Sequence, residues 1–344
     1  MFTSIILSAL LAQSAQGAVP VSSTPNYAVM QRFTIGGPGG WDCLGVDAAS
    51  HRLYIARADR VLVVDTESGK LVATIPSMDG AHGIALVPRA GIGFVSNGHA
   101  GSVTQFNLAT AKPVREIPIK GENPDALVYD FATHHLFVFN GRSHDASVLD
   151  PSSGKTIATI TLPGAPEFAV SNEHGALFVN IEDTAQLVRI DAAKATVAAI
   201  WKLEDCEEPS GIALDGKHHR VFSVCHNERM VVTDARTGRH VASVPIGKGP
   251  DGAAFDAEHG LIFSPNGADG TLTVVHEDDA DHYRVVANVP TQASARTLAL
   301  DPTTHRIYSV AAEFAPAPAP TAAEPHPRRS VIDGTFTVLA IGEK

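Results

Sequence analysis

Short apolar runs and polar turns alternate along almost the whole chain. Runs such as "RLYIA", which starts at Arg52, and "HLFVF", which starts at His135, are rich in β-branched and aromatic residues and are bounded by Gly, Asp, Asn and Pro. Such runs are typical of β-strands joined by tight turns rather than of helices. We therefore predict an all-β protein.

One stretch recurs with a regular period. Its copies are "WDCLGVD" from Trp41, "AHGIALV" from Ala81, "PDALVYD" from Pro124, "PEFAVSN" from Pro166, "PSGIALD" from Pro209, "PDGAAFD" from Pro250 and "ARTLALD" from Ala295. These seven copies lie 40 to 45 residues apart. Repeats of this WD40-like length indicate a β-propeller, in which each blade has four strands and cannot bury its faces alone.

The seventh repeat lacks a fourth strand before the chain ends at Lys344, whereas an unassigned strand, "YAVMQRFTI", precedes the first repeat. We expect this strand, residues 27–35, to close the last blade and so remove an open sheet edge. The prediction is a single domain over residues 27–344, a seven-bladed β-propeller with four-stranded blades.

The second strands of several repeats share a further motif. "FVSN" at Phe94, "FVFN" at Phe137 and "FSPN" at Phe263 resemble the YVTN repeat of seven-bladed, YncE-like propellers, and the resemblance covers almost all of the chain after its first segment. Many members of that family are exported bacterial proteins. Because such propellers serve as binding proteins, lactonases and parts of redox enzymes, the resemblance implies a fold and leaves the function to the site.

The first residues are typical of a secretory signal peptide. An apolar segment is followed by Ala15-Gln16-Gly17, a small-residue cleavage site, although no Lys or Arg precedes it. Residues 1–17 are therefore predicted to be removed, which leaves a periplasmic or secreted protein. No later segment has the apolar length needed to span a bilayer.

Charge narrows the choice of partners. The formal net charge is −11 and only 18% of the residues are charged. This balance has the wrong sign for attraction to a phosphate backbone, and no Lys/Arg cluster interrupts it. We therefore expect a small molecule or a protein as the partner, and no nucleic acid.

Position two of the recurring stretch is predicted to lie where the innermost strand meets the central channel. Around the ring this position holds Asp42, His82, Asp125, Glu167, Ser210, Asp251 and Arg296. Crowded carboxylates repel one another unless water, a cation or a basic ligand compensates them. Two interpretations remain open: a solvated channel wall, or a binding site in which His82, Asp125, Glu167 and Asp251 hold a divalent metal ion.

The loops after the second strands are expected to surround the same channel mouth. Together with the ring, the candidate ligand contacts from this face are Trp41, Asn97, Asn140, Asn180, His226 and Asn266. Asparagine at a strand end is also a common turn former, so each one alone has a structural alternative. A mixed histidine and carboxylate site would suit zinc or another transition ion, whereas carboxylates and asparagines alone would suit calcium.

Six further histidines fall in the turn between first and second strands, which lies on the opposite face. They are His51, His134, His174, His218, His259 and His305. Since this turn recurs in every repeat, we expect them to be spread around the ring and to be structural or solvated.

The chain has three cysteines, too few to hold the fold together. Cys206 and Cys225 belong to one repeat, so either a disulfide or two buried thiols is possible there. Cys43 lies on an inner strand and is expected to be packed rather than reactive.

A proline- and alanine-rich insertion, residues 314–334, interrupts the last repeat. Alternating Pro and Ala favours extended chain without regular secondary structure, emerging beside the channel mouth. It is either a simple insertion or a lid that brings Arg328 and Arg329 towards the acidic mouth.

Two classes of function remain. The first is a binding module for a small ligand, metal ion or protein partner at the channel mouth. The second is a metal-assisted hydrolase or lactonase that uses the same site, with a bound ion polarising a carbonyl. Binding is favoured, because no nucleophile–base pair or metal triad can be identified from spacing; whether the protein is an enzyme stays open.

Overall fold

The computed structural model describes residues 26–321, 327 and 329–344 of the 344-residue chain. In these ranges the chain forms 26 β-strands and two 3₁₀ turns, at Ala48–Ser50 and Pro88–Ala90. None of the helices there has the length and apolar character of a membrane span. The predicted all-β class is confirmed, whereas the predicted signal peptide lies outside the described residues.

The strands follow one another with short connections. In the first half of the chain they are β1 (Tyr27–Thr34), β2 (Leu44–Asp47), β3 (Arg52–Asp65), β4 (Leu71–Val87), β5 (Ile92–Asn97), β6 (Ser102–Asn107), β7 (Lys112–Pro118), β8 (Pro124–Asp130), β9 (His135–Asn140), β10 (Asp145–Asp150), β11 (Lys155–Thr161), β12 (Pro166–Ser171) and β13 (Ala176–Ile181). The others are β14 (Gln186–Asp191), β15 (Thr196–Lys202), β16 (Pro209–Asp215), β17 (Arg220–Cys225), β18 (Arg229–Asp234), β19 (His240–Pro245), β20 (Ala254–Asp256), β21 (Leu261–Asn266), β22 (Thr271–Asp279), β23 (His282–Pro290), β24 (Leu298–Asp301), β25 (Arg306–Ala311) and β26 (Thr337–Glu343).

Each repeat places its strands side by side in an antiparallel sheet. Four sheets follow chain order, β8 to β11, β12 to β15, β16 to β19 and β20 to β23, and a fifth has the order β24-β25-β26-β1. The sixth sheet has six strands, β2 to β7. The architecture is thus a β-propeller built from antiparallel, mostly four-stranded sheets.

The predicted number of seven separate blades is wrong, because the first two repeats share one sheet. β3 pairs with β2 through its first half and with β4 through its second half, and β4 then continues to pair with β5. The connection between these repeats is tight: Ala58 has φ 35° and pairs directly with Ala81, so the two repeats stay in one sheet despite a register shift between Ala58 and Arg60. Counted by hydrogen-bonded sheet, the described residues form six blades, over which the seven sequence repeats are distributed.

The predicted closing strand is confirmed. β1 pairs with β26 from Tyr27↔Glu343 to Thr34↔Thr337 and forms the outer edge of the last sheet. Tyr27 also contacts the neighbouring sheet, where its ring lies 5.4 Å from that of Phe263. The two ends of the described chain therefore meet in one sheet and close the ring.

The core lies between neighbouring sheets. One hydrophobic cluster joins Phe137 and Val148 from the sheet β8–β11 to Leu177 and Val179 from the sheet β12–β15. Since each sheet is covered on both faces, a second strand such as β13 is buried along its whole length. This burial explains why the second strands are continuous apolar runs rather than alternating ones.

Cysteine pairing is settled by the geometry of the fifth repeat. Cys206 and Cys225 form a disulfide, with their Cα atoms 5.4 Å apart. Cys43 is free and buried, as expected. Burial and the nearby carboxylates of Asp42 and Asp125 raise the pKa of the Cys43 thiol well above its ordinary value. It therefore stays protonated and is a poor nucleophile.

The described part of the proline-rich insertion has no regular strand. Phe314 forms an isolated bridge with Val331, and Arg329 donates hydrogen bonds to the carbonyl oxygens of Phe314 and Ala315. The Arg329 guanidinium also lies 5.6 Å from the Phe314 ring. The base of the insertion is thus fixed, while Arg328 lies outside the described residues.

Deletion of residues 27–34 should destabilise the ring, because it leaves the hydrogen-bonding groups of β26 at an open sheet edge. We expect aggregation in size-exclusion chromatography and a lower melting temperature. Met30→Gln is the control, since the Met30 side chain is 46% exposed and the strand is kept. A soluble monomer with an unchanged melting temperature after the deletion would contradict the closure.

Candidate binding site at the channel mouth

The ring residues lie where regular strand pairing is interrupted. In β8 the register against β9 shifts between Pro124 and Leu127, and the equivalent shift follows Ala81, Pro166 and Pro209 in their repeats. Position two of these four motifs therefore falls inside a bulge, whereas Asp42, Asp251 and Arg296 lie before the first residue of their strands. Bulges redirect side chains and recur near functional sites. Here they free the ring side chains from the ladder.

Hydrogen bonds through Ser96 connect neighbouring inner strands next to these side chains. The Ser96 hydroxyl accepts from the Gly83 N–H at 2.8 Å and donates to the Asp125 carbonyl oxygen at 2.6 Å. A Cβ at Gly83 would lie 2.3 Å from that same oxygen, so only glycine allows the approach. The crowding of the ring carboxylates is thus imposed by backbone contacts.

Three ring residues converge on one point. His82 Nδ1 lies 2.6 Å from Asp42 Oδ2 and 3.9 Å from Asp125 Oδ1. These three side chains have ligand atoms close enough to share one metal ion. Asp42 is the member that the predicted metal set lacked.

Asp251 is bound to protein groups instead. Its Oδ2 lies 2.6 Å from Arg296 Nε, and its Oδ1 accepts from the Ser210 hydroxyl at 2.8 Å. Arg296 also donates to the Trp41 carbonyl oxygen at 3.2 Å. Asp251 and Arg296 therefore compensate each other, and the structure does not bring Asp251 into the cluster around His82.

Glu167 is the least compensated member of the ring. The carboxyl group of Glu167 has no hydrogen bond or ion pair with any described residue of the chain. Burial, followed by the charges of Asp125 and Glu182, raises the pKa of Glu167 to about 9. The mouth thus holds a carboxyl group that resists ionisation at neutral pH.

Asp125 and His82 both have raised pKa values. Burial and the charge of Asp42 raise the pKa of Asp125 to about 7, although the charge of His82 opposes the rise. The hydrogen bond to Asp42 raises the pKa of His82 above its ordinary value. Near neutral pH the site therefore retains protons that bulk water would remove, and a cation could replace them.

The four strand-end asparagines are buried and form hydrogen bonds within the sheets, so that their contact with a ligand stays a prediction. Each is at most 1% exposed. The Asn97 amide donates to the hydroxyls of Ser102 and Thr104, and Asn140 and Asn266 make equivalent bonds to the strand that follows. Asn180 instead donates to the carbonyl oxygens of Ser210 and Gly211 in the next repeat. The four asparagine side chains thus connect neighbouring strands and repeats behind the channel mouth.

His226 belongs to a separate group at the rim. Its Nδ1 lies 2.9 Å from Glu208 Oε2, and with Glu182 these residues form a second possible metal-ligand cluster. His226 and Glu208 are both exposed, with side-chain exposures of 40% and 63%. Glu208 lies in the loop before β16, where no repeat motif identified it.

A cleft of about 1310 Å³ opens beside the ring. Asp42, His82 and Arg296 of the ring line it, together with Phe314 and Arg329 of the proline-rich insertion. The insertion therefore contributes a wall of the cleft, as its position in the last repeat predicted. Charged and aromatic groups face the same space.

Trp41 supports this wall rather than projecting from it. It is 6% exposed and packs against Phe314 and Phe336, with ring centroids 5.8 and 5.4 Å apart. Its indole N–H has no acceptor among the described residues. Trp41 thus links the ring motif of the first repeat to the insertion.

Comparisons with known proteins support the fold class, a β-propeller with WD40-like repeats. Among solved structures the chain resembles Kuenenia stuttgartiensis hydrazine synthase, with a TM-score of 0.70 and 16% identity over 86% of this chain and 96% of that one. It also resembles a chain of the mitotic checkpoint complex, with a TM-score of 0.74 and 13% identity over 99% and 98% of the two chains. At these identities the likeness concerns the fold alone.

The sequence comparisons do not assign a family. No protein-family model matches the chain. One curated relative, the ribosome biogenesis protein YTM1 of Pyricularia oryzae, is 26% identical over 203 residues. That match covers 57% of this chain and 38% of the relative. Membership of the YVTN family therefore stays a prediction.

The raised acid pKa values predict that stability falls as pH rises. A carboxyl group whose pKa is raised on folding stabilises the native state fully below its unfolded pKa, about 4.5 for Glu167, and this contribution is lost as pH approaches 9. Glu167→Gln should remove much of this loss and stabilise the protein by about 1 to 3 kcal/mol at pH 8. Urea unfolding at pH 5 and pH 8 measures the effect.

Glu122→Gln is the control for this experiment, because Glu122 is exposed in the loop that leads into the same face. Its unfolding free energy should follow that of the wild type at both pH values. The contradicting outcome is an unfolding free energy that changes equally between pH 5 and pH 8 in Glu167→Gln and in the wild type. Glu167 would then ionise in the folded protein without a free-energy cost, which would contradict its buried position.

Proposed function

We propose that this protein is an exported propeller of the YVTN, YncE-like type, whose channel mouth binds a cationic group. The cation is a divalent metal ion, or the basic group of a small molecule or of a protein partner. The cleft beside the ring accommodates the rest of such a ligand, with Trp41 and Phe314 supporting its wall.

The observation that carries this proposal is the charge balance of the mouth. Asp42, Asp125 and Glu167 lie near one another, whereas Arg296 is already paired with Asp251. His82 is the positively charged group in contact with the first two, while the charge of Arg296 also acts on Asp42. A bound cation would let Asp125 and Glu167 ionise at neutral pH, so binding and proton release are coupled.

Export is supported by two independent features. The first is the apolar segment and small-residue site at residues 1–17. The second is the Cys206–Cys225 disulfide, because disulfides persist in oxidising compartments such as the periplasm and the extracellular space. The metal-assisted hydrolase or lactonase has no comparable support: among the described residues, His82 makes no hydrogen bond to a Ser, Thr or Cys side chain that could act as a nucleophile.

Thermal denaturation with added cations tests the binding proposal. CaCl2, ZnCl2 and spermidine serve as probes. All measurements use the His259→Ala variant, because His259 on the opposite face could also bind a metal ion. At least one probe should raise the melting temperature, since a ligand that binds only the native state stabilises it. Asp42→Asn and Asp125→Asn should each reduce that rise.

Asp79→Asn provides the matched control. Asp79 is an exposed aspartate on the same face that lies 3.3 Å from His99 and outside the ring, so the rise should persist in this variant. If no probe raises the melting temperature and Asp125→Asn stabilises the protein, the ring is a solvated channel wall and the binding proposal fails.

Export has its own test. Expression of the full chain in a Gram-negative host should give a periplasmic protein whose first residue lies just after Gly17. Amino-terminal sequencing of the periplasmic fraction measures this directly. Retention in the cytoplasm with Met1 intact would contradict export without affecting the channel site.

A further inference from the structure

The face opposite the channel mouth holds a convergence that the repeat pattern does not predict. His259 Nδ1 and His305 Nδ1 each lie 2.9 Å from the same carboxylate oxygen, Asp256 Oδ2. The two imidazole rings are 4.2 Å apart. The expectation that the turn histidines are spread around the ring is therefore wrong for this pair.

We propose that Asp256, His259 and His305 form a binding site for a divalent transition-metal ion. Two histidines and one carboxylate are a known metal-ligand set that leaves further positions open for water. Their ligand atoms lie close enough to surround one ion. The site is separate from the channel mouth and does not depend on the function proposed above.

The ligand set favours octahedral coordination. Two histidines and one carboxylate that leave further positions open are the ligands of non-haem ferrous sites. Ferrous, cobalt and nickel ions therefore suit the site.

Surrounding groups orient the ligands for this role. Asp256 is 3% exposed, and its other oxygen, Oδ1, accepts from the Glu258 backbone N–H at 3.2 Å. The outer nitrogen of His305, Nε2, lies 3.5 Å from Glu258 Oε2. A carboxylate on the far nitrogen of a ligating histidine fixes the ring and makes it a better ligand. Oδ2 and the two Nδ1 atoms are thus directed at one another.

The site remains open to solvent. The side chains of His259 and His305 are 47% and 24% exposed, so an ion can enter and water can complete its coordination. His259 follows β20 and His305 precedes β25, which places the ligands on two neighbouring sheets. A bound ion would tie the sheet that contains β1 to the sheet before it.

The equivalent turn of the fifth repeat holds a related cluster with one histidine, in which His218 Nδ1 lies 2.8 Å from Asp215 Oδ2 and 3.4 Å from Glu277 Oε1. The turns of His134 and His51 lack such a cluster. His134 contacts the Tyr129 hydroxyl at 3.2 Å, and His51 lies 3.8 Å from Glu67. His305 pairs with Asp256 rather than with Asp301, the aspartate of its own turn. Asp301 accepts hydrogen bonds from the backbone N–H groups of Thr303 and Thr304. Among the described residues, the convergence of two turn histidines on one carboxylate is therefore specific to this pair of repeats.

Titration of tag-free, chelator-treated protein with CoCl2 and NiCl2 tests the proposal. A triple variant, His82→Ala with His218→Ala and His226→Ala, is the background, because it removes the histidine from each of the other three possible metal-ligand clusters. Calorimetry should give one ion per chain, and bound cobalt should show the weak visible absorption of octahedral coordination. The ion should also raise the melting temperature. Absence of binding at millimolar metal, or an intense tetrahedral cobalt spectrum, would overturn the assignment.

Variants locate the ion. His259→Ala and His305→Asn should each weaken binding at least tenfold. Glu258→Gln should weaken it less, because the Glu258 carboxylate is 74% exposed and lies 3.5 Å from His305 Nε2. His134→Asn is the matched control, because His134 and His305 have similar left-handed backbones, with φ 60° and 56°. It should bind as the background protein does. If His259→Ala and His305→Asn bind with the affinity of the control, the three residues are joined only by hydrogen bonds.

Discussion

Closure of the ring by β1 is the constraint on which the rest of the structure depends. A propeller sheet buries its faces only against its two neighbours, so every sheet needs a neighbour on each side. The last sheet takes one strand from the start of the described chain and three from its end. Without that pairing, the hydrophobic cluster shared by Tyr27, Phe263 and Leu339 would lose one of its walls. The geometry of the channel mouth follows from the closed ring.

The closed ring also explains why the mouth is electrostatically unusual. Inner strands approach so closely that Gly83 contacts the backbone of Asp125, and Gly211 that of Gly252. Side chains at the same motif position are therefore pressed together whatever their charge. With carboxylates at most of these positions, the native state holds extra protons or a cation. The favourable folding free energy of the sheets offsets the electrostatic cost of crowding these carboxylates, as is common at binding sites.

The two faces of the propeller use histidine differently. At the mouth, His82 lies between two carboxylates of neighbouring repeats and offsets their charge. On the other face, His259 and His305 share a single buried carboxylate. In both arrangements a histidine contacts a carboxylate about one repeat away along the chain, so both depend on the contact of adjacent repeats.

The sequence by itself determined the all-β class, the repeat and the closing strand, because strand propensity, turn residues and a fixed period are local properties. It also identified Asp42, His82, Asp125 and Arg296 as neighbours through their shared motif position. Only the tertiary structure decided that the first two repeats share one sheet, that Asn97 and its equivalents are buried braces, and that His259 and His305 meet at Asp256. Those outcomes depend on distances of a few ångströms between repeats, which are set by bulges, tight turns and close backbone contacts and leave no periodic signal in the chain.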